Sequence, residues 1–237
     1  MQFSRRDFLS TAAAGVPAVA LAGGAAPAPA AETRAPLHFH VLTSSEYDQA
    51  AMMKKLSVES DHKQVYESVS PLIIAPGIAS LYLHMQNSMN AYQFSLGLGN
   101  LTTLGVLIGP SIVFALKDEM WAKYHISDAL KGSNLAPTNE YYTASSKLDT
   151  SAAPDDPNGI YQDWSAQAVM ARGGQFFVCH NATSGIAGMI ASGQKMDPAM
   201  AISDFEKSFL PGFQLVPSGV AAVQQAQEMG WKIYPII

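Results

Sequence analysis

The stretch that decides the fold is Gln175-Phe176-Phe177-Val178-Cys179, which two glycines precede and His180-Asn181 follows. A short apolar run between turn-forming residues is typical of an interior strand of a sheet, because both of its faces are buried there. Helical patterns follow it at residues 184–191 and 198–209. The stretch therefore predicts a buried strand in a sheet that alternates with helices.

The same alternation extends over most of the chain. Further strands are predicted at 62–69, 104–116, 213–216 and 231–235, and further helices at 77–96, 117–124, 160–171 and 218–229. Because helices supply the crossovers that parallel strands need, this order predicts an α/β fold. We expect a mainly parallel five-stranded sheet with helices on both faces.

Two segments do not fit this alternation. Residues 31–60 are interpreted as an N-terminal extension outside the core of the domain, which would then span 61–237. Residues 131–159 are rich in Ser, Thr, Asn, Asp and Pro, which favours a long exposed loop.

Composition excludes several classes of protein. One Cys among 237 residues can form neither an internal disulfide nor a multi-cysteine metal cage. The net charge of -5 at pH 7 has the wrong sign for tracking a phosphate backbone, so we expect no nucleic acid as a partner. No cofactor is predicted, because Gly97-Leu98-Gly99 lacks the third glycine of a dinucleotide-binding turn.

The first thirty residues predict export. Ser4-Arg5-Arg6-Asp7-Phe8-Leu9 is followed by an uncharged stretch that reaches Ala31, which is the arrangement of a twin-arginine signal peptide. The small residues of Ala28-Pro29-Ala30 suit cleavage after Ala30. We therefore expect a periplasmic protein that meets the membrane only through this signal peptide, during export.

Cys179 is the candidate catalytic nucleophile. It ends a predicted strand, and ligands of open α/β folds gather beyond the carboxyl ends of the strands. A helix that begins nearby would favour the thiolate and lower the pKa of the thiol. A cysteine in an apolar strand can equally be a small packed side chain, so both interpretations stay open.

His180 is the second candidate catalytic residue, as a general base for the thiol. The two residues are adjacent in the sequence, however. On an extended strand they would point to opposite faces, and they could serve one site only if the chain has already turned.

The chain resembles the DsrE/DsrF-like family, most specifically in its C-terminal part. The segments that carry the resemblance are 176–182 (FFVCHNA), 209–220 (FLPGFQLVPSGV) and 227–234 (QEMGWKIY), with weaker support at 62–67, 90–92 and 122–124. The resemblance covers residues from about 60 to the C-terminus and implies a parallel-sheet fold and a homo-oligomer. It also implies that Cys179 carries sulfur as a persulfide, received from a donor protein and passed to an acceptor, or that it takes part in thiol-redox chemistry.

Two other functions remain open. In the first, the chain is a non-catalytic binding or assembly protein with a packed cysteine. In the second, it is a periplasmic metal-binding protein with imidazole, thiolate and thioether ligands for copper or zinc. The residues that offer these ligands are His38, His40, His62, His84-Met85, His125 and Cys179-His180. No second pair at ligand spacing accompanies His38 and His40, so no metal is predicted and a solvated terminus is the simpler interpretation.

Overall fold

Seven strands are present in the computed structural model, which describes residues 40–99 and 101–236. The signal peptide predicted at 1–30 and the candidate ligand His38 lie outside these described residues. The strands are β1 (His62–Ser68), β2 (Ile73–Ala75), β3 (Ile78–Ala79), β4 (Leu101–Leu107), β5 (Gln175–Cys179), β6 (Phe213–Val216) and β7 (Lys232–Ile236).

Five of these strands form one all-parallel sheet in the order β6-β5-β4-β1-β7. The strand β5 is an interior strand, with Phe176, Phe177 and Val178 fully buried. The fold class predicted from the sequence is therefore confirmed. The bounds of β5 and β6 also match the prediction, because in both segments turn residues delimit a short apolar run.

Helices cover both faces of this sheet. They are α1 (Gln49–Leu56), α2 (Ser80–Asn90), α3 (Asp118–Lys123), α4 (Ile126–Ala129), α5 (Ala166–Ala171), α6 (His180–Gly193), α7 (Pro198–Lys207) and α8 (Gly219–Glu228). Side-chain oxygens of Asp197 and Ser218 cap α7 and α8 by accepting hydrogen bonds from main-chain amides of the first turn. In the part of the chain that the structure describes, no helix is both long and apolar enough to cross a bilayer.

The sheet separates two hydrophobic cores because successive side chains of a strand point to opposite faces. Phe176 and Val178 pack with α2, α6 and α7 in the larger core. Phe177 points the other way and packs with α1 and α8 in the smaller one.

The strand predicted at 104–116 is shorter than expected. It ends at Leu107, and Gly109–Ala115 forms a 3-10 helix with Pro110 at its first turn. A proline is tolerated there because its missing N–H would have no partner in the helix anyway. Most of the segment is apolar and buried, so hydrophobicity alone does not separate strand from helix.

The helix predicted at 77–96 starts later than expected. A small antiparallel hairpin of β2 and β3 occupies its first residues, and Gly77 turns the chain with a φ of 73°. This is left-handed backbone, which glycine adopts at no steric cost. At the other end, a π-helical turn at Ala91–Ser95 extends α2.

The segment predicted to lie outside the core contributes to it. Met52 and Leu56 of α1 are buried in the smaller core, because α1 turns its apolar side to the sheet. The prediction for 31–60 is therefore wrong for α1.

Residues 131–159 contain no helix or strand, as predicted, but they are not exposed throughout. Tyr141 is buried in the larger core. The side-chain amide of Asn139 donates hydrogen bonds to the main-chain oxygens of Phe114 and Leu116, at 2.9 and 2.8 Å. The loop is held against the domain because it satisfies buried carbonyl groups at the end of the 3-10 helix.

Candidate functional site

Cys179 lies where the strand β5 becomes the helix α6. It is the last residue of β5 and the N-cap of α6, and its Sγ accepts a hydrogen bond from the main-chain N–H of Ala182 at 3.4 Å. The helix begins at His180, earlier than the sequence pattern indicates, because the thiol takes the place that a Ser or Asp cap usually has. The thiol thus lies at the carboxyl edge of the sheet, next to helix amides.

The thiol is covered at this edge. Cys179 is 4% exposed. A Cβ added to Gly219, at the start of α8, would come within 3.0 Å of the Cys179 Cβ and within 2.5 Å of the Ile108 Cγ1. The backbone of α8 and the end of β4 therefore close directly over the cysteine, and only a residue without a side chain fits between them.

His180 is directed to other partners. Its Nε2 lies 3.1 Å from the main-chain oxygen of His40, and its Nδ1 lies 2.9 Å from Glu206 Oε1. A carbonyl oxygen only accepts, so Nε2 carries the donated proton. The contact with Glu206 is at ion-pair distance but is not a well-aligned hydrogen bond. Since both ring nitrogens have partners other than Cys179, this arrangement gives the predicted general base no contact with the thiol.

Two imidazole–carboxylate pairs line one pocket beside α6. The first pair is His180 and Glu206. In the second pair, His40 Nε2 lies 2.6 Å from Glu46 Oε1, and the rings of His40 and His180 stand nearly perpendicular with centroids 6.2 Å apart. The pKa of Glu46 is lowered to about 2, chiefly by the hydrogen bond from the main-chain N–H of Thr43 and next by the one from His40. The pocket has a volume of about 570 Å³.

These four side chains do not form a metal centre. Within residues 40–99 and 101–236, no three His, Cys, Asp or Glu side chains converge closely enough to hold an ion. Two other histidines that the sequence offers as ligands pack against aromatic rings instead: His62 against Tyr92 and His84 against Tyr234.

A larger cleft lies at the opposite edge of the sheet, where the strands begin. Its volume is about 910 Å³. Glu59 and Asp61 precede β1, Thr102 lies at the start of β4, and Arg172 follows α5 and precedes β5. Because these residues all lie at the amino edge, the cleft is separated from Cys179 by the length of the sheet.

Arg172 is the one arginine in the described part of the chain, and amide oxygens of α2 and its π-helical extension surround it. Its Nη1 donates to Gln86 Oε1 at 2.5 Å and to Asn90 Oδ1 at 2.6 Å, and its Nη2 donates to Gln93 Oε1 at 3.1 Å. The guanidinium carbon lies 4.7 Å from the centre of the Tyr161 ring. Burial lowers the pKa of Arg172 to about 10.

Main-chain carbonyls fix the orientation of two of these amides. Gln86 Nε2 donates to the oxygens of Ile160 and Asp163, and Asn90 Nδ2 donates to the oxygen of Tyr161. With their nitrogens committed, both amides turn their oxygens to the guanidinium. Among the described residues, no carboxylate lies within ion-pair distance of Arg172.

Sequence reasoning missed this cleft. Gln86, Asn90 and Gln93 lie at helical spacing on one face, inside a stretch without any charge. A polar stripe of this kind is the signal that was available, because the polar groups of it that are buried require a polar partner. No family model matches the chain, and no curated protein matches it at a significant level, so the resemblance to the DsrE/DsrF-like family stays a prediction.

Proposed function

We propose that this chain is an exported, DsrE-like α/β protein that binds a small molecule, with Cys179 as a packed helix cap. The observation that carries the proposal is the open cleft at the amino edge of the sheet, which contains a half-buried arginine that has no carboxylate partner among the described residues. Ligand sites are typically concave, with a few convergent polar groups of this kind. Export to the periplasm rests on the sequence of residues 1–30 alone.

The environment of the cysteine supports a packing role. A nucleophilic thiol must reach its substrate, but Cys179 is 4% exposed, its Sγ accepts from Ala182 N–H, and its Cβ packs close to Gly219. The ring of His180 is directed to other groups, since its Nε2 lies against the main-chain oxygen of His40 and its Nδ1 lies 2.9 Å from Glu206 Oε1. Of the groups that usually activate a cysteine, the helix N-terminus is the one that contacts the Sγ in the described part of the chain.

Sulfur transfer is the second candidate function, and the contact of Ala182 N–H with the thiol favours it, because helix amides stabilise a thiolate. In that reaction the Cys179 thiolate would attack the outer sulfur of a donor persulfide and release the donor thiol. An acceptor thiolate would then take the outer sulfur and regenerate Cys179. The step requires α8 to move away from the cysteine.

A homo-oligomer is the partner that the family resemblance implies. The strand β7 is an edge strand, and Ile233 and Tyr234 on it are 41% and 40% exposed. An edge strand with exposed apolar side chains can pair with a second chain. Light scattering of the mature protein would detect such an assembly.

Thiol labelling separates the two candidate functions. For the binding protein, we expect Cys179 to react with a maleimide only after unfolding, and the unreduced protein to show no added 32 Da of bound sulfur, a diagnostic of the persulfide. Fast labelling of the folded protein, with a rate that titrates below the ordinary thiol pKa of about 8.5, would instead support sulfur transfer.

A further inference from the structure

We propose that the cleft at the amino edge binds a small zwitterion, whose carboxylate is held by Arg172 and whose ammonium group faces Glu59 and Asp61. This inference rests on the proposed binding function and adds the chemical class of the ligand. A free α-amino acid is the simplest molecule of this class.

The carboxylate end follows from the donors of Arg172. A guanidinium carries five N–H donors, and three of them are used by Gln86, Asn90 and Gln93. Two donors remain without a partner among the described residues. Because the guanidinium is a flat fork, two donors on it suit the two oxygens of one carboxylate.

The charge of Arg172 supports the same conclusion. Removing a guanidinium from water is costly unless a counter-charge or a full set of hydrogen bonds compensates. Neutral amide oxygens and the face of Tyr161 compensate only in part. The site thus holds the positively charged guanidinium in place, and we expect its negatively charged partner to come from a ligand.

The ammonium end follows from the acidic residues of the same cleft. Glu59 and Asp61 are exposed and line it together with Arg172. A simple dianion would meet two negative side chains at this site, whereas a zwitterion offers a positive group to them. The cleft thus complements a ligand that carries one charge of each sign.

The cleft has a volume of about 910 Å³, which leaves room for the remainder of such a ligand. Thr102, whose side chain carries a hydroxyl group, also lines the cleft. Pockets of this size are typical of small-molecule sites. The tyrosine that stacks on the arginine is held in place because Tyr161 OH donates to the main-chain oxygen of Thr150 at 2.6 Å. The walls of the cleft are therefore formed before a ligand arrives.

Calorimetry and thermal unfolding of the mature protein test this inference, with glycine, L-alanine and L-glutamine as probes. Propionate lacks the ammonium group, propylamine lacks the carboxylate, and inorganic phosphate is an anion of another shape. We expect an amino acid to bind and raise the Tm, with propionate weaker and propylamine and phosphate not bound.

Four variants locate the binding. R172Q should weaken the binding of the amino acid by about tenfold or more, as expected for the loss of charge-assisted hydrogen bonds. E59Q should weaken the binding of the amino acid severalfold, and it should bind propionate as tightly as the wild type does or more tightly. T102F should block the cleft without touching the partners of Arg172. K131Q removes a charge from an exposed lysine outside the cleft and should bind like the wild type.

The outcomes distinguish this inference from the proposed function. If no probe and no member of a wider set of neutral and charged small molecules stabilises the wild-type protein, the proposed binding function itself fails. If a ligand binds and T102F blocks it, but R172Q binds it as tightly as the wild type, the binding function stands and the zwitterion inference is overturned. Should R172Q not fold, E59Q and T102F still decide between these results.

Discussion

The indole N–H of Trp231 donates a hydrogen bond to the main-chain oxygen of Leu56 at 2.9 Å, and both residues are buried. The bond joins the end of α1 to the residue that precedes the strand β7. It explains why a segment that the sequence predicts outside the core is part of it, since an N-terminal helix docks where a buried donor meets its last turn.

Replacement of Trp231 by Phe tests this connection. The variant keeps an aromatic ring but leaves the Leu56 carbonyl without its donor, and we expect a loss of stability of about 1–3 kcal/mol. Urea unfolding followed by circular dichroism measures it. An unchanged midpoint would mean that α1 is held by its apolar contacts alone.

The sequence predicts the elements that short apolar runs delimit and misses those that long-range partners determine. The bounds of β5 follow from Gln175–Cys179 itself, whereas 104–116 is almost entirely apolar and contains both a strand and a 3-10 helix. The position of Cys179 at the carboxyl edge of the sheet could be predicted, but the closeness of Gly219 that covers it could not. The partners of Arg172 lie 79 to 86 residues away in the sequence, so their helical spacing indicates that they need a polar partner but not which residue supplies it.

Substitutions of Cys179 separate a capping role from a chemical one. Serine is a favoured N-cap, so C179S should keep the amide of Ala182 satisfied and change the stability by less than about 1 kcal/mol. C179V has no capping atom and should cost about 1 kcal/mol or more. Thermal unfolding compares the two, and equal effects would contradict a capping role.

The glycine above the thiol is expected to tolerate no side chain. G219A places a methyl group 2.5 Å from Ile108 Cγ1, and overpacking of this kind costs about 1–3 kcal/mol. Gly188 in α6 is a matched control, because its added Cβ would have no neighbour within 4 Å. G188A should therefore stabilise the protein, by about 0.5–1 kcal/mol.

The lowered pKa of the Glu46 carboxylate should make the stability of the protein sensitive to acid. Its pKa falls from the ordinary 4.5 to about 2 in the folded protein, chiefly through the N–H of Thr43. A lowered folded-state pKa stabilises the protein above pH 4.5, and this contribution is lost as the pH falls from 4.5 toward 2. Acid unfolding of E46Q should be less steep than that of the wild type in this range, and the exposed control E119Q should follow the wild type.

Gln93→Glu offers the sharpest test of the charge balance in the amino-edge cleft. Gln93 is exposed, and its side-chain oxygen already lies 3.1 Å from Arg172 Nη2, so a carboxylate there would form an ion pair within the protein. The gain in stability should stay below about 1 kcal/mol, as for other partly solvated pairs. The same carboxylate would compete with that of a ligand, because both neutralise one guanidinium. Amino acids should therefore bind Q93E more weakly than Q93A, which removes the oxygen but adds no charge. Calorimetry with glycine measures this difference, and equal affinities for Q93E and Q93A would show that the charge of Arg172 has no part in binding.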